Sequence, residues 1–123
     1  MVVVQPKRKP LDFVGSSRDD LRKFPKEVRI AIGAALTSAQ LGGKHQAARV
    51  LKHFGGAGVL EIVDDFDGST YRAVYTVRFA TVIYVLHAFQ KKSKRGVTTP
   101  KSDMDLIRQR LKDAELDYKS RTR

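Results

Sequence analysis

Apolar residues recur along this chain in two rhythms, and the switch from one to the other marks its elements. Leu21, Phe24, Val28, Ile32, Ala35 and Ala39 follow each other at steps of three or four, which places them on one helical face. Pro25 interrupts that stripe. The spacing predicts a short helix over 17–24 abutting a longer one over 25–41, with the proline at the first position of the second. Ser16 or Ser17 can cap the first helix, Asp19 and Asp20 suit the dipole of its first turn, and Gly42-Gly43 ends the second. Before them, Leu11, Phe13 and Val14 form a short β-like run closed by Gly15-Ser16-Ser17.

The rhythm then changes. Val59–Val63, Tyr71–Val77 and Thr81–Phe89 are dense in β-branched and aromatic residues and are separated by turn residues, including Asp64–Ser69. They predict three strands in a meander. Val82-Ile83-Tyr84-Val85-Leu86 is apolar at every position, so the last strand is expected to be central. Residues 44–58 show no clear period, and Gly55, Gly56 and Gly58 imply a mobile loop. Thr99-Pro100 reads as a cap and a first helical position, after which Met104, Ile107, Leu111, Ala114 and Tyr118 predict a final amphipathic helix. The order β-α-α-β-β-β-α gives an α+β domain with helices packed on an antiparallel sheet. A basic arm over 1–9, one domain over 10–119 and a basic tail over 120–123 complete the division.

The length of 123 residues suits one domain able to bury roughly two-thirds of its unfolded surface. With no cysteine, disulfides, thiolate chemistry and Cys-based zinc sites are excluded, and a reducing cytoplasm is the expected location. Val2-Val3-Val4 is too short for a signal-peptide core, and no apolar run approaches the ~20 residues of a membrane helix.

Charge changes the picture more. The net charge is +11, and its distribution is uneven. Residues 1–55 hold eleven Lys/Arg against four acids, and residues 91–123 hold eleven against five. Between them only Arg72 and Arg78 face Glu61, Asp64, Asp65 and Asp67. Basic flanks around a mildly acidic β-rich middle fit either a charge that merely keeps the chain soluble or a polyanion partner. Nucleic acid is favoured over an anionic membrane because no Trp/Phe-bearing basic amphipathic helix is present.

The candidate chemistry is narrow. His45, His53 and His87 stand in no metal-ligand spacing, the glycines at 55, 56 and 58 lack the Lys-Ser/Thr of a phosphate loop, and the Gly-Ser pairs at 15–16 and 68–69 read as turns, giving no support to a nucleophilic serine. Arg72 alternates with Tyr71, Ala73 and Tyr75 in a strand. It can be an ordinary solvent-facing arginine, or it can hold a phosphate by its fork of N–H donors beside the exit of the next strand. His87 can be a satisfied strand histidine or an acid/base group. Lys91, Lys92, Lys94 and Arg95 place four cations within five residues at the end of an apolar strand. They form a solvated loop or a site for a polyanion, of which RNA phosphate is the leading candidate.

The runs Tyr71-Arg72-Ala73-Val74-Tyr75, His87-Ala88-Phe89-Gln90-Lys91-Lys92-Ser93 and Thr99-Pro100-Lys101 together resemble the RelE/ParE/HigB toxin superfamily, and more narrowly its phage-derived HigB-like branch. Phe24-Pro25-Lys26-Glu27-Val28-Arg29 with Ile32-Gly33-Ala35-Leu36 matches a second segment of that branch. Gly58-Val59-Leu60-Glu61-Ile62 stands in place of its usual Gly-Leu-Trp-Glu-Leu. These segments span about residues 10–112 in the correct order. The resemblance implies a twisted antiparallel sheet with N-terminal helices on one side. It implies the toxin of a type II toxin–antitoxin pair, a ribosome-dependent mRNA endonuclease that inhibits translation and is silenced by a cognate antitoxin. Arg72 matches the arginine on the scissile phosphate, and Lys92, with Lys91 beside it, matches the basic residue that stabilises the transition state or protonates the leaving group. His87 takes an acid/base or orienting role, and Lys94, Arg95, Lys52 and Lys101 are expected to bind RNA. The activity is expected to need no cofactor and no metal. Two departures stand out: Val63-Asp64-Asp65 occupies the place of a basic residue, leaving the general base unassigned, and Tyr118 lies too deep in the last helix to match the C-terminal tyrosine of some members. The competing readings are a non-catalytic ParE-like gyrase poison and a phage-derived nucleic-acid-binding protein without toxicity.

Overall fold

The computed structural model describes residues 7–91 and 99–122. Its elements are β1 (Leu11–Phe13), α1 (Ser17–Arg22), α2 (Lys26–Gln40), β2 (Ala48–Val50), β3 (Val59–Phe66), β4 (Ser69–Thr76), β5 (Ile83–Lys91) and α3 (Lys101–Arg121). The strands form one sheet in the order β1-β5-β4-β3-β2. The mixed α+β architecture read from the sequence is present, with the meander β3-β4-β5 at its centre. All neighbours pair antiparallel except β1, which joins β5 in parallel, Leu11 opposite Ile83 and Phe13 opposite Val85. That direction follows from the connection: the chain leaves β1, runs through both N-terminal helices and re-enters the sheet at the opposite edge.

Helices cover both faces. Val28, Ile32, Ala35, Leu36 and Ala39 of α2 pack with Leu60, Ile62, Ala73, Tyr75, Ile83 and Val85, so the stripe seen in sequence is the buried face. Ile107, Leu111 and Ala114 of α3 close the other face over Val59, Val74, Tyr84 and Leu86. β5 is apolar on both faces because both helical layers cover it, although β4 holds the middle place in the sheet. A register shift beside Tyr75 takes Val74 opposite His87 and Tyr75 opposite Val85, accommodating Leu86 as an extra residue in β5.

Several local readings change. The turn expected over Asp64–Ser69 is only two residues long, since Phe66 pairs with Ser69. Asp67 at φ 49° and Gly68 at φ 82° supply the positive dihedrals that a tight hairpin needs to match strand twist. Pro25 precedes α2 as its cap position, and Pro100 likewise precedes α3, each one residue earlier relative to its helix than expected. Thr99 therefore caps nothing and its hydroxyl is used elsewhere. Ser16 is the cap of α1, but its hydroxyl donates to the Asp20 carboxylate at 2.7 Å and accepts from no backbone N–H of the helix.

The stretch expected to be a mobile loop holds β2 and two anchors. Leu51 donates its N–H to the Val59 carbonyl at 2.9 Å, and Leu51 and Phe54 are both buried in the α3-side core. Arg78 donates to the Phe54 carbonyl, and the Arg108 guanidinium lies 5.0 Å from the Phe54 ring centre. These contacts hold residues 51–54 beside the first turns of α3.

Candidate functional site

On the α3 face of the sheet, charge is brought together by strand register. Arg49 of β2 lies opposite Glu61 of β3, which lies opposite Val74 of β4, which lies opposite His87 of β5. One row along, Val63, Arg72 and Phe89 are opposite one another. Glu61 and Arg72 are thus diagonal neighbours on adjacent strands, within reach of long side chains. Arg72 Nη1 donates to Glu61 Oε2 at 3.2 Å and to Thr99 Oγ1 at 3.3 Å. Thr99 Oγ1 also donates to Glu61 Oε2 at 3.4 Å. From the other side, Arg49 Nε lies 3.6 Å from Glu61 Oε1.

The exposures in this cluster differ sharply. Arg72 is 1% exposed and Glu61 6%, whereas the Arg49 side chain is 61% exposed. A buried carboxylate needs compensating charge and hydrogen bonds, and Glu61 receives both from the two guanidinium groups. The arginine expected to project beside a strand exit is instead enclosed, with Thr99 and Glu61 as its partners.

Glu61 and Thr99 form part of the wall of a cleft of about 740 Å³ between residues 49–53 and the start of α3. Lys52, Lys101, Arg49 and Arg108 line it, together with His53, Met104 and Asp105. Lys101 and Arg108 each approach Asp105 at 3.9 Å, and all three side chains are open to water. His53 has φ 80°, in the left-handed region that residues with a Cβ visit seldom, and its carbonyl accepts from Arg108 Nη2 at 3.4 Å. The cleft is a basic trough with one enclosed carboxylate in its wall. Such a trough can hold an anionic chain by its rim, and its carboxylate can accept a hydrogen bond or a proton.

His87 sits apart from the cleft lining. Its Nε2 is 2.8 Å from Asp103 Oδ1 and its Nδ1 is 3.4 Å from Arg110 Nη1. Its ring stacks on Phe89 with centroids 4.7 Å apart. Arg110 can only donate, so this arrangement suits an imidazole that donates from Nε2 to Asp103 and accepts at Nδ1. With both nitrogens occupied, His87 ties β5 to the first turn of α3.

Of the residues singled out in the sequence, Lys52 and Lys101 thus meet in one cleft, Arg72 lies behind its wall, and His87 lies further along the same sheet face. Lys91 is half-buried at the end of β5, opposite Thr70. Lys92, Lys94 and Arg95 lie outside the described residues. Among the described residues, no group of three or more His, Cys, Asp or Glu side chains could hold a metal ion, and no helix is long and apolar enough to cross a membrane.

The sequence reading gave no site role to Arg49, His53, Glu61 or Arg108, although it weighed His53 as a metal ligand and placed Glu61 in a family motif. For Glu61 a signal existed: it is the one acid within the apolar run Val59-Leu60-Glu61-Ile62-Val63 of a strongly basic chain. Arg108 stands seven residues from Lys101, two helical turns along one face. Arg49 gave no signal, because β2 is three residues long beside a glycine-rich stretch.

Comparison with known proteins places this architecture. Residues 19–112 match the family model described as Phage derived protein Gp49-like (DUF891). No curated protein matches the chain. Among solved structures, the chain is similar to a mutant of the Escherichia coli toxin RelE in the free state, with 24% identity, a TM-score of 0.49, and coverage of 66% of this chain and 81% of that one. It is also similar to a chain of the toxin–antitoxin complex RelBE2 from Mycobacterium tuberculosis, with 18% identity, a TM-score of 0.45, and coverage of 72% and 98%. The family match takes in the α2 stripe, the meander and most of α3, and it agrees with the phage-derived, RelE-like grouping to which the sequence motifs pointed: the chain belongs to the phage-derived Gp49-like family.

Proposed function

We propose that this protein is the toxin of a type II toxin–antitoxin pair, acting as a ribosome-dependent mRNA endonuclease. The observation that carries the reading is the cleft over Glu61, a trough whose rim is built from Arg49, Lys52, Lys101 and Arg108. RNA carries a phosphate at every nucleotide, so a line of exposed cations around an enclosed wall suits a single strand. Membership of a phage-derived family and the ordered motifs of the RelE-like superfamily add to it.

Cleavage without a metal requires the ribose 2′-oxygen to attack the adjacent phosphorus while cations offset charge on the phosphorane. The rim cations are placed to hold phosphates, and the Arg72–Glu61 pair sets the field of the wall behind them. Lys91 and Lys92 keep the role of charge stabilisation at the leaving group, and Lys94 and Arg95 that of holding flanking RNA. His87 acts by orienting α3 through Asp103. The partners in this reading are mRNA, the ribosome and a cognate antitoxin, and the site of action is the cytoplasm.

The test is induction of the chain alone, with growth, translation and mRNA 5′ ends followed together. Growth arrest with new 5′ ends within ribosome-bound codons is the expected result. Arrest with DNA damage and intact messages would replace this reading by gyrase poisoning, and unaffected growth would replace it by a non-toxic binding protein.

A further inference from the structure

Two arginines meet Glu61, and the one that the sequence matched to the scissile phosphate is the one that RNA cannot reach. Arg72 is 1% exposed behind the cleft wall, whereas Arg49 lines the cleft with its side chain 61% exposed. We infer that Arg49 takes a phosphate of the bound RNA strand, and that Glu61, held from behind by Arg72 and Thr99, positions the Arg49 guanidinium for that contact. This rests on the proposed endonuclease function and names the phosphate-holding residue of its site. Glu61 and Arg72 touch no RNA; they act through Arg49 as positioning residues.

Charge is the first support. Arg72 and Glu61 form an enclosed pair whose charges cancel, and Thr99 adds a hydrogen bond to the carboxylate. Arg49 therefore brings a positive charge that the interior does not need for compensation. The other carboxylate of the cleft, Asp105, lies 3.9 Å from both Lys101 and Arg108. Four cations line the cleft and Arg72 stands behind it, against only Glu61 and Asp105, so three positive charges are left over. A surplus of that sign in a concave wall attracts an anion.

Geometry singles out Arg49 among those cations. It sits on β2 directly opposite Glu61, and the strand beneath it is fixed by its ladder to β3 and by the Leu51 N–H bond to the Val59 carbonyl at 2.9 Å. Its Nε lies 3.6 Å from Glu61 Oε1, and among the described residues it has no other ion pair or hydrogen bond. A guanidinium is a planar fork of N–H donors, so one carboxylate oxygen leaves donors free for bidentate contact with a phosphate. The cleft's other arginine is already engaged: Arg108 lies over the Phe54 ring, donates to the His53 carbonyl and pairs with Asp105. Lys52 and Lys101 are point charges on flexible stems. An arginine tethered to an enclosed carboxylate has already lost part of the rotamer freedom that binding would otherwise remove.

The experiment measures binding of a single-stranded RNA oligonucleotide to the intact chain by fluorescence anisotropy, without ribosomes, with affinities taken per folded molecule. Arg49→Ala should bind about tenfold more weakly, the loss of one hydrogen-bonded charge contact. Its slope of log affinity against log salt should fall by about 0.7. Arg49→Lys, which keeps the charge but loses the fork, should lie between this variant and the parent. Positioning is tested by Arg72→Met with Glu61→Leu, which removes one charge of each sign and leaves the net charge of the site unchanged. That double variant should bind about two- to tenfold more weakly, the cost of ordering one long side chain. Added to Arg49→Ala, the same two substitutions should cause no further loss, because they act only through Arg49. An equal loss in both backgrounds would assign the pair to the shape of the cleft wall and overturn the positioning. If the double variant does not fold, the parent's Arg49 Nε–H resonance, identified by its loss in Arg49→Ala, decides. Its order parameter should exceed about 0.6 before RNA is added, and a more mobile side chain would overturn the role of Glu61. Arg49→Ala binding as tightly as a parent that does bind RNA would remove Arg49 alone, whereas a parent that binds no RNA would remove the nuclease reading beneath it.

Discussion

Arg72 and Glu61 are joined at 3.2 Å across adjacent strands, and both side chains are at least nine-tenths buried. The pair faces α3, and Thr99, two residues before that helix, hydrogen-bonds to both members. It thus links the sheet to the segment that leads into the last helix, at the wall of the basic cleft. Its position makes it structural and electrostatic at once.

Removal of one member should therefore be costly to the fold. Arg72→Met leaves Glu61 enclosed with Arg49 as its remaining cation, and breaking a buried pair in this way typically costs about 3–5 kcal/mol. The double variant Arg72→Met with Glu61→Leu removes both charges and should recover a large part of that loss. Urea denaturation of the two proteins measures this directly. A single variant within about 1 kcal/mol of the parent would show that the pair contributes little to stability.

The α2 stripe, the three meander strands and the final helix were legible in the sequence because each repeats one period for long enough to bury a face. Arg72 was legible as a residue of interest but not as a buried one, since its burial depends on Glu61, eleven residues earlier, and Thr99, twenty-seven later. The cleft was not legible at all. It is built by β2, which is too short to show alternation, and by Leu51 and Phe54, which anchor a stretch whose glycines suggested a loop. Thr99 misled for a similar reason: Thr-Pro is a good helix start, yet its hydroxyl found better partners in Arg72 and Glu61.

Gly33 offers a test of helix propensity free of packing. It sits inside α2, and a Cβ built on it meets nothing within 4 Å. Gly33→Ala should stabilise the protein by about 0.5–1 kcal/mol through reduced entropy of the unfolded chain. Chemical denaturation would reveal this as a higher midpoint with an unchanged slope, and a lower midpoint would show that the outer face of α2 is constrained.

Alkaline pH should unfold the protein through its buried tyrosines. Burial pushes Tyr75 up to about 12, and burial with the 2.6 Å bond to Asp117 also raises Tyr84. In the unfolded chain both phenols lose their protons near about 10. Stability is then unaffected below that point and falls as pH rises from it toward the folded value, because the unfolded state sheds protons first. Tyr75→Phe should reduce the steepness of that fall by about one proton. Equal steepness in parent and variant, read from urea midpoints between about pH 9 and pH 12, would assign the alkaline loss to other groups.

Cleavage should survive chelation. The proposed chemistry draws its positive charge from side chains, so EDTA should leave the rate unchanged in a purified system that tolerates loss of magnesium, or with an RNA cleaved without ribosomes. Strict dependence on an added transition metal would exclude the side-chain mechanism.

The rim of the cleft should control affinity and not folding. Lys101 is 92% exposed and Lys52 is also open to water, so each contributes at most about 1 kcal/mol to stability. If each lysine neutralises one phosphate, binding releases its counterion, and on a single strand the slope of log affinity against log salt falls by about 0.7 for every phosphate no longer neutralised. Lys52→Ala with Lys101→Ala should thus weaken RNA binding most at low salt, flatten the slope by about 1.4, and leave the melting temperature nearly unchanged. Lys94→Ala with Arg95→Ala, on the segment expected from sequence to hold flanking RNA, provides the comparison. If that pair flattens the slope while the cleft pair does not, the strand follows the β5 exit and the cleft serves another ligand. If the cleft pair unfolds the protein while binding per folded molecule is unchanged, its lysines belong to the fold.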